Sequence, residues 1–428
     1  MSKFFNSPVI GVDVSADFSV ATILSPDGSV FKKAFKFNHD AQGFEFFLQT
    51  IKKAEEDFDT PTPVFMEATG IYHLNLFYFL INNGVQAFAI NPLITHSSKN
   101  KGIRKLKNDK SDSFSIATIG KFESIKTCKV IDPTIYELRA FCREYHDLIA
   151  ARANIKTQIS NTLRLYFPGY EKVFSDTTGT TSLAILRLYP APQSIIHTSS
   201  DLLKDLLKAA RKGKQWVDTA YNKLITASQN ALTLSFLSST TKLTRLIELY
   251  DFYSKQINSL VLQIQDYITS SAIPLKLKNS ITLVDGIPGI GFISAVTLMA
   301  EIGDINDFKK AKHLIAYFGI DPSVNQSGKF NSSKNKISKR GSKISRKILY
   351  DIVLTSVRDK VNGQPYNPIL QQYFKENLRG KAKKVAFLAV ANKLIKYIFS
   401  VLKNQRPYEL RDPKIHNQFY LESTHRTA

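Results

Sequence analysis

The stretch Val9–Val14, VIGVDV, predicts a buried strand that ends in one carboxylate, Asp13. Apolar residues and a glycine surround this acid, so we expect it at the carboxyl end of a central strand rather than on a solvated face. A buried carboxylate without a partner is costly, so a cation is expected beside it. A metal ion is the natural candidate if other acids converge there.

Three other acids fit such a site. The run PVFMEATG, residues 63–70, predicts a second strand that ends in Glu67. Asp109 and Asp112 lie three residues apart at the start of a predicted helix, so both project from one face. Oxygen ligands from separate elements suit hard cations, and two such ions can clamp the attacking and leaving oxygens of a phosphodiester.

Composition points to a globular protein with a polyanionic partner. The chain has 428 residues, 43% of them hydrophobic, and a formal net charge of +22. Length and apolar content predict two or more domains with proper cores. The charge favours nucleic acid as partner, with an acidic membrane surface as the lesser option.

Two cysteines, Cys128 and Cys142, lack metal-ligand spacing and are too few for a disulfide framework. They indicate an intracellular, reducing compartment. The sequence shows no signal peptide and no apolar run of the roughly 18 residues that span a membrane. We therefore expect a cytoplasmic protein without a membrane partner.

The first 125 residues predict an α/β domain. Three short strands are followed by alternating helices and strands, in the order βββαβαβα: strands 9–14, 19–24, 30–37, one ending at 67, and 86–90; helices 41–54, 72–83, and one from Asn108. This is the order of the ribonuclease-H-like (RuvC-like) fold, which also places the acids at strand ends. A basic run before the last helix includes Lys105 and Lys107; beside an acidic cluster we favour phosphate contact over a solvated face.

Residues 130–275 predict a helical region. Apolar residues keep a spacing of three or four through 133–166 and again through 243–267, with smaller helices at 202–210 and 215–227. The two long helices fit an antiparallel coiled-coil arm or an oligomerisation surface, and equally two ordinary helices of one bundle.

A mainly helical C-terminal domain, residues 276–410, follows, and a polar tail covers 411–428. The turn GIPGIG, residues 286–291, resembles a helix-hairpin-helix turn, in which Gly289 and Gly291 would let backbone N–H groups approach a DNA phosphate. The alternative is a glycine turn that serves only tight helix packing.

A strongly basic segment lies between positions 329 and 347 of this domain. Its members include Lys329, Lys339, Arg340, Lys343 and Arg346, and no acid interrupts it. Just before it, Ser327 stands in the loop QSGK, where its hydroxyl would be accessible to a phosphate. A serine needs activation to be a nucleophile, and most loop serines only hydrogen-bond, so both readings stay open on the residues alone.

Taken together, these motifs resemble the DEDD-type insertion-sequence transposases of the insertion sequence 110 family, bridge-RNA-guided serine recombinases to which pilin-gene invertases are related. The resemblance rests on IGVDVS, MEATG, K-N-D-x-x-D, GIPGIG, GIDPSVNQSG, ISKRGSKISR, NPILQQYF and GKAKKVAFLAVANKLI in this order. Family members commonly carry Ala after the final acid, where this chain has Ser113.

The resemblance implies a mechanism. Asp13, Glu67, Asp109 and Asp112 would hold Mg²⁺, and Ser327 would attack a DNA phosphate to form a phosphoserine intermediate. The acids and the serine would come from different subunits of a tetramer on paired donor and target double-stranded DNA. A structured bridge RNA would select both DNA sites, so protein contacts would go mainly to nucleic-acid backbones, made by Lys329, Lys339, Arg340, Lys343 and Arg346 among others.

Two other functions remain open. A RuvC-like, Mg²⁺-dependent nuclease could cut branched DNA by hydrolysis, with Ser327 as a bystander. Alternatively, the protein could be a non-catalytic nucleic-acid-binding protein with structural acids.

Overall fold

The computed structural model describes residues 2–68, 72–90, 95, 109–123, 132–231, 237–322, 326–327, 330–331 and 336–410. The chain divides into two compact units, Met1–Ile131 (unit 1) and Asp132–Ala428 (unit 2). Unit 2 contains both the helical region and the C-terminal domain that the sequence predicts, and the boundary near residue 275 stays a prediction.

Unit 1 is a mixed five-stranded sheet with helices on both faces. Its elements are β1 Val9–Val14, β2 Phe18–Leu24, β3 Val30–Asn38, α1 Ala41–Phe58, β4 Val64–Glu67, α2 Tyr72–Asn82, β5 Ala87–Ile90 and α3 Asp109–Phe122. The strand order is β3-β2-β1-β4-β5. β2 is antiparallel to both β1 and β3, whereas β4 is parallel to both β1 and β5. The predicted order of elements is confirmed, with boundaries that differ by a few residues.

The central strands separate two apolar cores because side chains alternate across a sheet. Ile10, Val12 and Val14 pack with residues of α1 and α2, such as Phe47 and Leu76. On the other face, Val9 and Phe65 pack with Ile116, Ala117 and Ile119 of α3. α1 and α2 therefore cover one face of the sheet, and α3 covers the other.

Among its described residues, unit 2 is helical apart from one short hairpin and its connecting segments. Its helices are α4 Pro133–Tyr166, α5 Thr180–Leu188, α6 Pro192–Ile196, α7 Ser200–Lys208, α8 Lys214–Asn230, α9 Leu237–Thr269, α10 Leu275–Asp285, α11 Phe292–Ile302, α12 Ala311–Tyr317, α13 Lys343–Ser356, α14 Pro368–Gln372 and α15 Lys383–Asn404. A π-helix, Tyr373–Asn377, continues α14. The hairpin consists of β6 Gln326–Ser327 and β7 Phe330–Asn331. Helices α5 and α6 are additions to the predicted set.

The two long helices α4 and α9 pack against each other in opposite directions. Leu138, early in α4, shares a core with Leu260 and Ile264, late in α9. Ile159, late in α4, shares a second core with Leu243, early in α9. The antiparallel pairing agrees with the prediction, and the coiled-coil arm stays a prediction.

The first of these cores also contains α15. By length and composition alone, α15 is apolar enough to cross a membrane, the one such helix among the described residues. However, its apolar residues, including Phe387, Leu394 and Ile398, are buried against other helices of unit 2. We therefore interpret α15 as a core helix.

Candidate active site

Asp13 and Glu67 lie at matching ends of two neighbouring strands. β1 and β4 pair in parallel, with Val12 opposite Met66, so Asp13 and Glu67 occupy the next position on each strand. Because adjacent strands are roughly 5 Å apart, the two acids start from adjacent points of one sheet edge. Both are half-buried.

The two acids also project from the same face. Val9 and Phe65 contribute to the core beneath α3, whereas Val12 and Met66 contribute to the core on the opposite face. With a side-chain period of two, Asp13 and Glu67 share the face of Val9 and Phe65. The acids therefore face the side of the sheet that α3 covers.

Helix α3 runs antiparallel to β1, which brings its acidic first turn to the same edge. At the far end of the helix, the buried Lys121 donates hydrogen bonds of 2.8 Å to the carbonyl oxygens of Phe5 and Ser7, which precede β1. Burial lowers the pKa of Lys121, and these two acceptors stabilise its ammonium. The first turn of α3, with the buried Asp112, therefore lies toward the Asp13 end of β1.

Gly11 permits this close approach of α3 to the sheet. A Cβ atom at Gly11 would lie 2.2 Å from the carbonyl oxygen of Ser113 and 2.2 Å from the amide nitrogen of Ala117. Both neighbours are backbone atoms and cannot rotate away. The glycine in VIGVDV therefore allows the acid-bearing helix to dock.

Two hydroxyl contacts support the acids, and sequence analysis missed both. Thr95, which is buried, donates a hydrogen bond of 3.0 Å from Oγ1 to Oε2 of Glu67. The hydroxyls of Thr22 and Ser113 lie 2.8 Å apart in the interior. Ser113 was visible in the sequence only as a departure from the common Ala, and no motif marks Thr22 or Thr95.

The carboxylate oxygens at this edge are hard donors of the kind that Mg²⁺ prefers. Within the described part of the chain, no group of three Asp, Glu, His or Cys side chains is close enough to hold one ion. The side chain of Asp109 lies outside the described residues, as do Lys105 and Lys107. The four-acid metal site therefore stays a prediction.

Ser327 is the last residue of β6, the first strand of the hairpin. Gln326 pairs with Asn331, and Ser327 pairs with Phe330. The intervening turn, which includes Lys329, and the side chain of Ser327 lie outside the described residues. The prediction that Gln326 and Ser327 belong to a loop is wrong, because both lie in β6 and pair with β7. The role of Ser327 as nucleophile stays a prediction.

The basic segment after the hairpin packs against the end of α12. The N–H of Lys339 donates to the carbonyl of Gly319 over 2.9 Å. Nη1 of Arg346 donates to the carbonyl oxygens of Gly341, over 2.6 Å, and Phe318, over 3.3 Å. Arg346 thus holds the loop together, while Lys339, Arg340 and Lys343 are exposed to solvent.

The glycine turn between α10 and α11 has two different glycines. Gly289 has a φ of 99°, and a Cβ there would lie 2.2 Å from Oγ of Ser356, so this glycine serves helix packing. Gly291 begins α11, and a Cβ there would meet nothing within 4 Å. Tight packing therefore accounts for Gly289. A phosphate contact of the helix-hairpin-helix kind would depend on Gly291.

Comparison with known proteins gives two family matches. A family model of IS110-type DEDD transposases, described as "Transposase", matches residues 10–168, and a model described as "Transposase IS116/IS110/IS902 family" matches residues 281–368. The first match contains Asp13, Glu67 and α3, and the second contains Ser327 and the glycine turn.

Three curated relatives are similar over part of the chain. An uncharacterized 43.6 kDa protein of insertion element IS110 from Streptomyces coelicolor is 24% identical over 317 residues, 72% of this chain and 73% of the relative. The pilin gene-inverting protein of Moraxella bovis is 30% identical over 139 residues, 32% of this chain and 41% of the relative. The transposase for insertion sequence element IS1111A of Coxiella burnetii is 28% identical over 148 residues, 34% and 39% of the two chains.

Among solved structures, T. thermophilus RuvC in complex with a Holliday junction substrate matches with a TM-score of 0.21 and 9% identity, over 28% of this chain and 99% of RuvC.

The family assignment rests on the two family models and the curated relatives. Since both models describe transposases of one family and match separate parts of the sequence, the chain belongs to the IS110 family of transposases, enzymes that cleave and rejoin DNA.

Proposed function

We propose that this protein is the transposase of a mobile insertion element and that unit 1 is its metal-dependent, ribonuclease-H-like catalytic domain. The observation that carries the proposal is the parallel register of β1 and β4, which sets Asp13 and Glu67 side by side at one sheet edge. The acidic first turn of α3 approaches the same edge. Asp13, Glu67, Asp109 and Asp112 would hold Mg²⁺, which when bound stabilises charge that develops on the phosphate.

The second part of the proposal concerns Ser327. Its hydroxyl oxygen attacks a DNA phosphorus atom, a serine–phosphate bond forms, and one strand oxygen leaves. Because the phosphodiester energy is kept in this bond, attack by a DNA hydroxyl on the phosphoserine rejoins strands without a high-energy cofactor. Lys339 and Arg340 support this role because both are exposed cations close to the hairpin in sequence.

The partners follow from charge and family. With a net charge of +22, the protein suits donor and target double-stranded DNA and a structured bridge RNA that selects the sites by base pairing. Cys128 and Cys142 are too far apart in sequence for the closely spaced cysteine pair of a zinc finger, so sequence selection by an RNA is consistent with the composition. We propose a homo-oligomer, dimer to tetramer, that acts in the cytoplasm at the nucleoid and joins acids and serine from different subunits.

A cleavage assay tests the metal-dependent half of the proposal. Asp13→Asn, Glu67→Gln and Asp112→Asn should each abolish Mg²⁺-dependent strand cleavage and weaken Mn²⁺ binding measured by calorimetry. Asp17→Asn is the matched control, since it removes the same charge from an exposed residue just after β1. Retention of both cleavage and metal binding in the Asp13 and Glu67 variants would contradict the proposal.

A further inference from the structure

A basic surface covers parts of α13 and the start of α15, two helices that pack in the same core. Its six cations are exposed: Lys343, Lys347, Arg379, Lys381, Lys383 and Lys384. Within the described part of the chain, none of these side chains forms an ion pair. Exposed cations that form no ion pair are suited to contact a chain of phosphates.

On α13, the residues of this surface form a stripe along one face of the helix. Lys343, Lys347 and Tyr350 follow at spacings of four and three residues, so they share one face of the helix. Tyr350 is 44% exposed although it lies in a helix that packs on the core. Asp351, next to Tyr350, is the acid of this stripe, and burial raises the pKa of its carboxyl group.

An aromatic contact connects the stripe to α15. The rings of Tyr350 and the buried Phe387 lie 5.2 Å apart between centroids. Nζ of Lys383 lies 5.6 Å from the centroid of the same Phe387 ring. Tyr350 therefore packs on a buried ring that also lies close to Lys383 at the start of α15.

We infer that this surface binds unpaired nucleotides, with Tyr350 as a platform on which a base stacks between flanking phosphate contacts. Single-stranded nucleic acid combines regularly spaced phosphates with accessible base faces, and proteins bind it with cations beside exposed aromatic rings. In a duplex, base faces are covered by their neighbours, so Tyr350 would have no partner there. RNA and DNA share this chemistry. The inference rests on the proposed function only in that the partner is a nucleic acid.

The test is equilibrium binding of the full chain to three fluorescent ligands: oligo(dT) and oligo(U) of about 16 nucleotides and a mixed-sequence duplex. Tyr350→Ala should weaken binding to both single strands by about 10-fold or more and leave duplex affinity unchanged. Tyr350→Phe should bind as the native chain does. Tyr350→Leu keeps apolar contact with Phe387 without a flat aromatic face and should show the same loss as Tyr350→Ala.

A second pair of variants tests the contribution of the cations. Lys383→Ala/Lys384→Ala should reduce the salt dependence of single-strand binding by about 1.4 in the slope of log affinity against log salt. Lys52→Ala/Lys53→Ala removes the same charge from exposed positions of α1 and should leave the slope unchanged. A preference for oligo(U) over oligo(dT) would identify RNA as the source, and the reverse would identify DNA.

The result that overturns the inference is unchanged single-strand binding in Tyr350→Leu, or an equal loss for duplex and single strands. The first would mean that Tyr350 only covers Phe387. Because the readout is affinity, this failure is distinct from a loss of cleavage or of the covalent intermediate.

Discussion

The hydroxyl oxygens of Thr22 and Ser113 lie 2.8 Å apart in the interior of unit 1 and join β2 to the first turn of α3. Thr22 pairs with Gly11 across the sheet, and Ser113 follows Asp112 in the helix. This hydrogen bond therefore fixes the acid-bearing turn at the point where α3 comes closest to β1.

A double-mutant cycle tests this contact. Thr22→Val and Ser113→Ala should each destabilise the protein by about 1 kcal/mol, because each removes one partner of a buried hydrogen bond. The double variant should lose little more than either single variant, since neither hydroxyl is then left behind. Urea unfolding gives the three free energies. Strictly additive losses would show that the two hydroxyls do not interact.

Gly11→Ala should be severely destabilising. The added methyl group would meet backbone atoms of α3 at 2.2 Å, so the helix must shift, at a cost of about 3 kcal/mol. Thermal unfolding measures the loss. Gly213→Ala is the control, because a Cβ at Gly213 meets nothing within 4 Å. A Gly11→Ala variant as stable as Gly213→Ala would contradict the docking of α3.

Thr95→Val should change the response to Mg²⁺ rather than the fold. The hydroxyl of Thr95 holds Oε2 of Glu67, and loss of such an orienting group typically costs about 10- to 100-fold in metal affinity or activity. Cleavage rates over a series of Mg²⁺ concentrations should require more metal for half-maximal rate. Thr95→Ser, which keeps the hydroxyl, should restore the native response. An unchanged Mg²⁺ requirement in Thr95→Val would show that Thr95 does not support the metal site.

The two glycines of the α10–α11 turn should behave differently. Gly289→Ala combines a positive φ with a clash against Ser356 and should destabilise unit 2 by about 2–4 kcal/mol. Gly291→Ala should keep native stability, since its Cβ has open space. Gly291→Asp should lower DNA affinity through repulsion of a phosphate, with the melting temperature as control. Unchanged DNA affinity in Gly291→Asp would leave packing as the role of the whole turn.

Acid should destabilise unit 2 through His146 of α4. Burial and the nearby charge of Lys347 lower the pKa of His146 from 6.5 to about 4, against weaker opposing effects of Asp147 and Glu301. Nε2 of His146 also lies 3.5 Å from Oγ1 of Thr297. Below pH 6.5 the unfolded chain binds a proton at His146, whereas the folded chain binds it only near pH 4. The free energy of unfolding that this group contributes is therefore intact above about pH 7 and falls as the pH drops below 6.5 toward 4.

The matched variant is His146→Gln. Between pH 8 and pH 5, the native chain should lose on the order of 1 kcal/mol more than His146→Gln, after allowance for solvent screening of a partly exposed group. Urea unfolding at the two pH values measures this difference. Equal losses in the two proteins would show that the pKa of His146 is the same in the folded and unfolded chains.

The strand ends could be predicted because VIGVDV and VFME are short apolar runs with an acid at or near their ends. The antiparallel pair α4 and α9 was likewise visible in its apolar spacing. Thr95 could not be found this way, because it follows β5 in a segment without a motif and acts through a contact across 28 residues. The two roles within GIPGIG depend on what lies opposite each glycine, which spacing alone does not show.

Trapping of a covalent adduct shows directly whether a serine of this chain carries the cut strand. Native protein, RNA transcribed from the sequence that flanks its gene, Mg²⁺ and end-labelled donor and target DNA are mixed, denatured and separated on a gel. We expect a protein–DNA adduct that is present with the native chain and absent with Ser327→Ala. Free nicked DNA without adduct, retained in Ser327→Ala and abolished by Asp13→Ala, would contradict it and identify a hydrolytic nuclease instead.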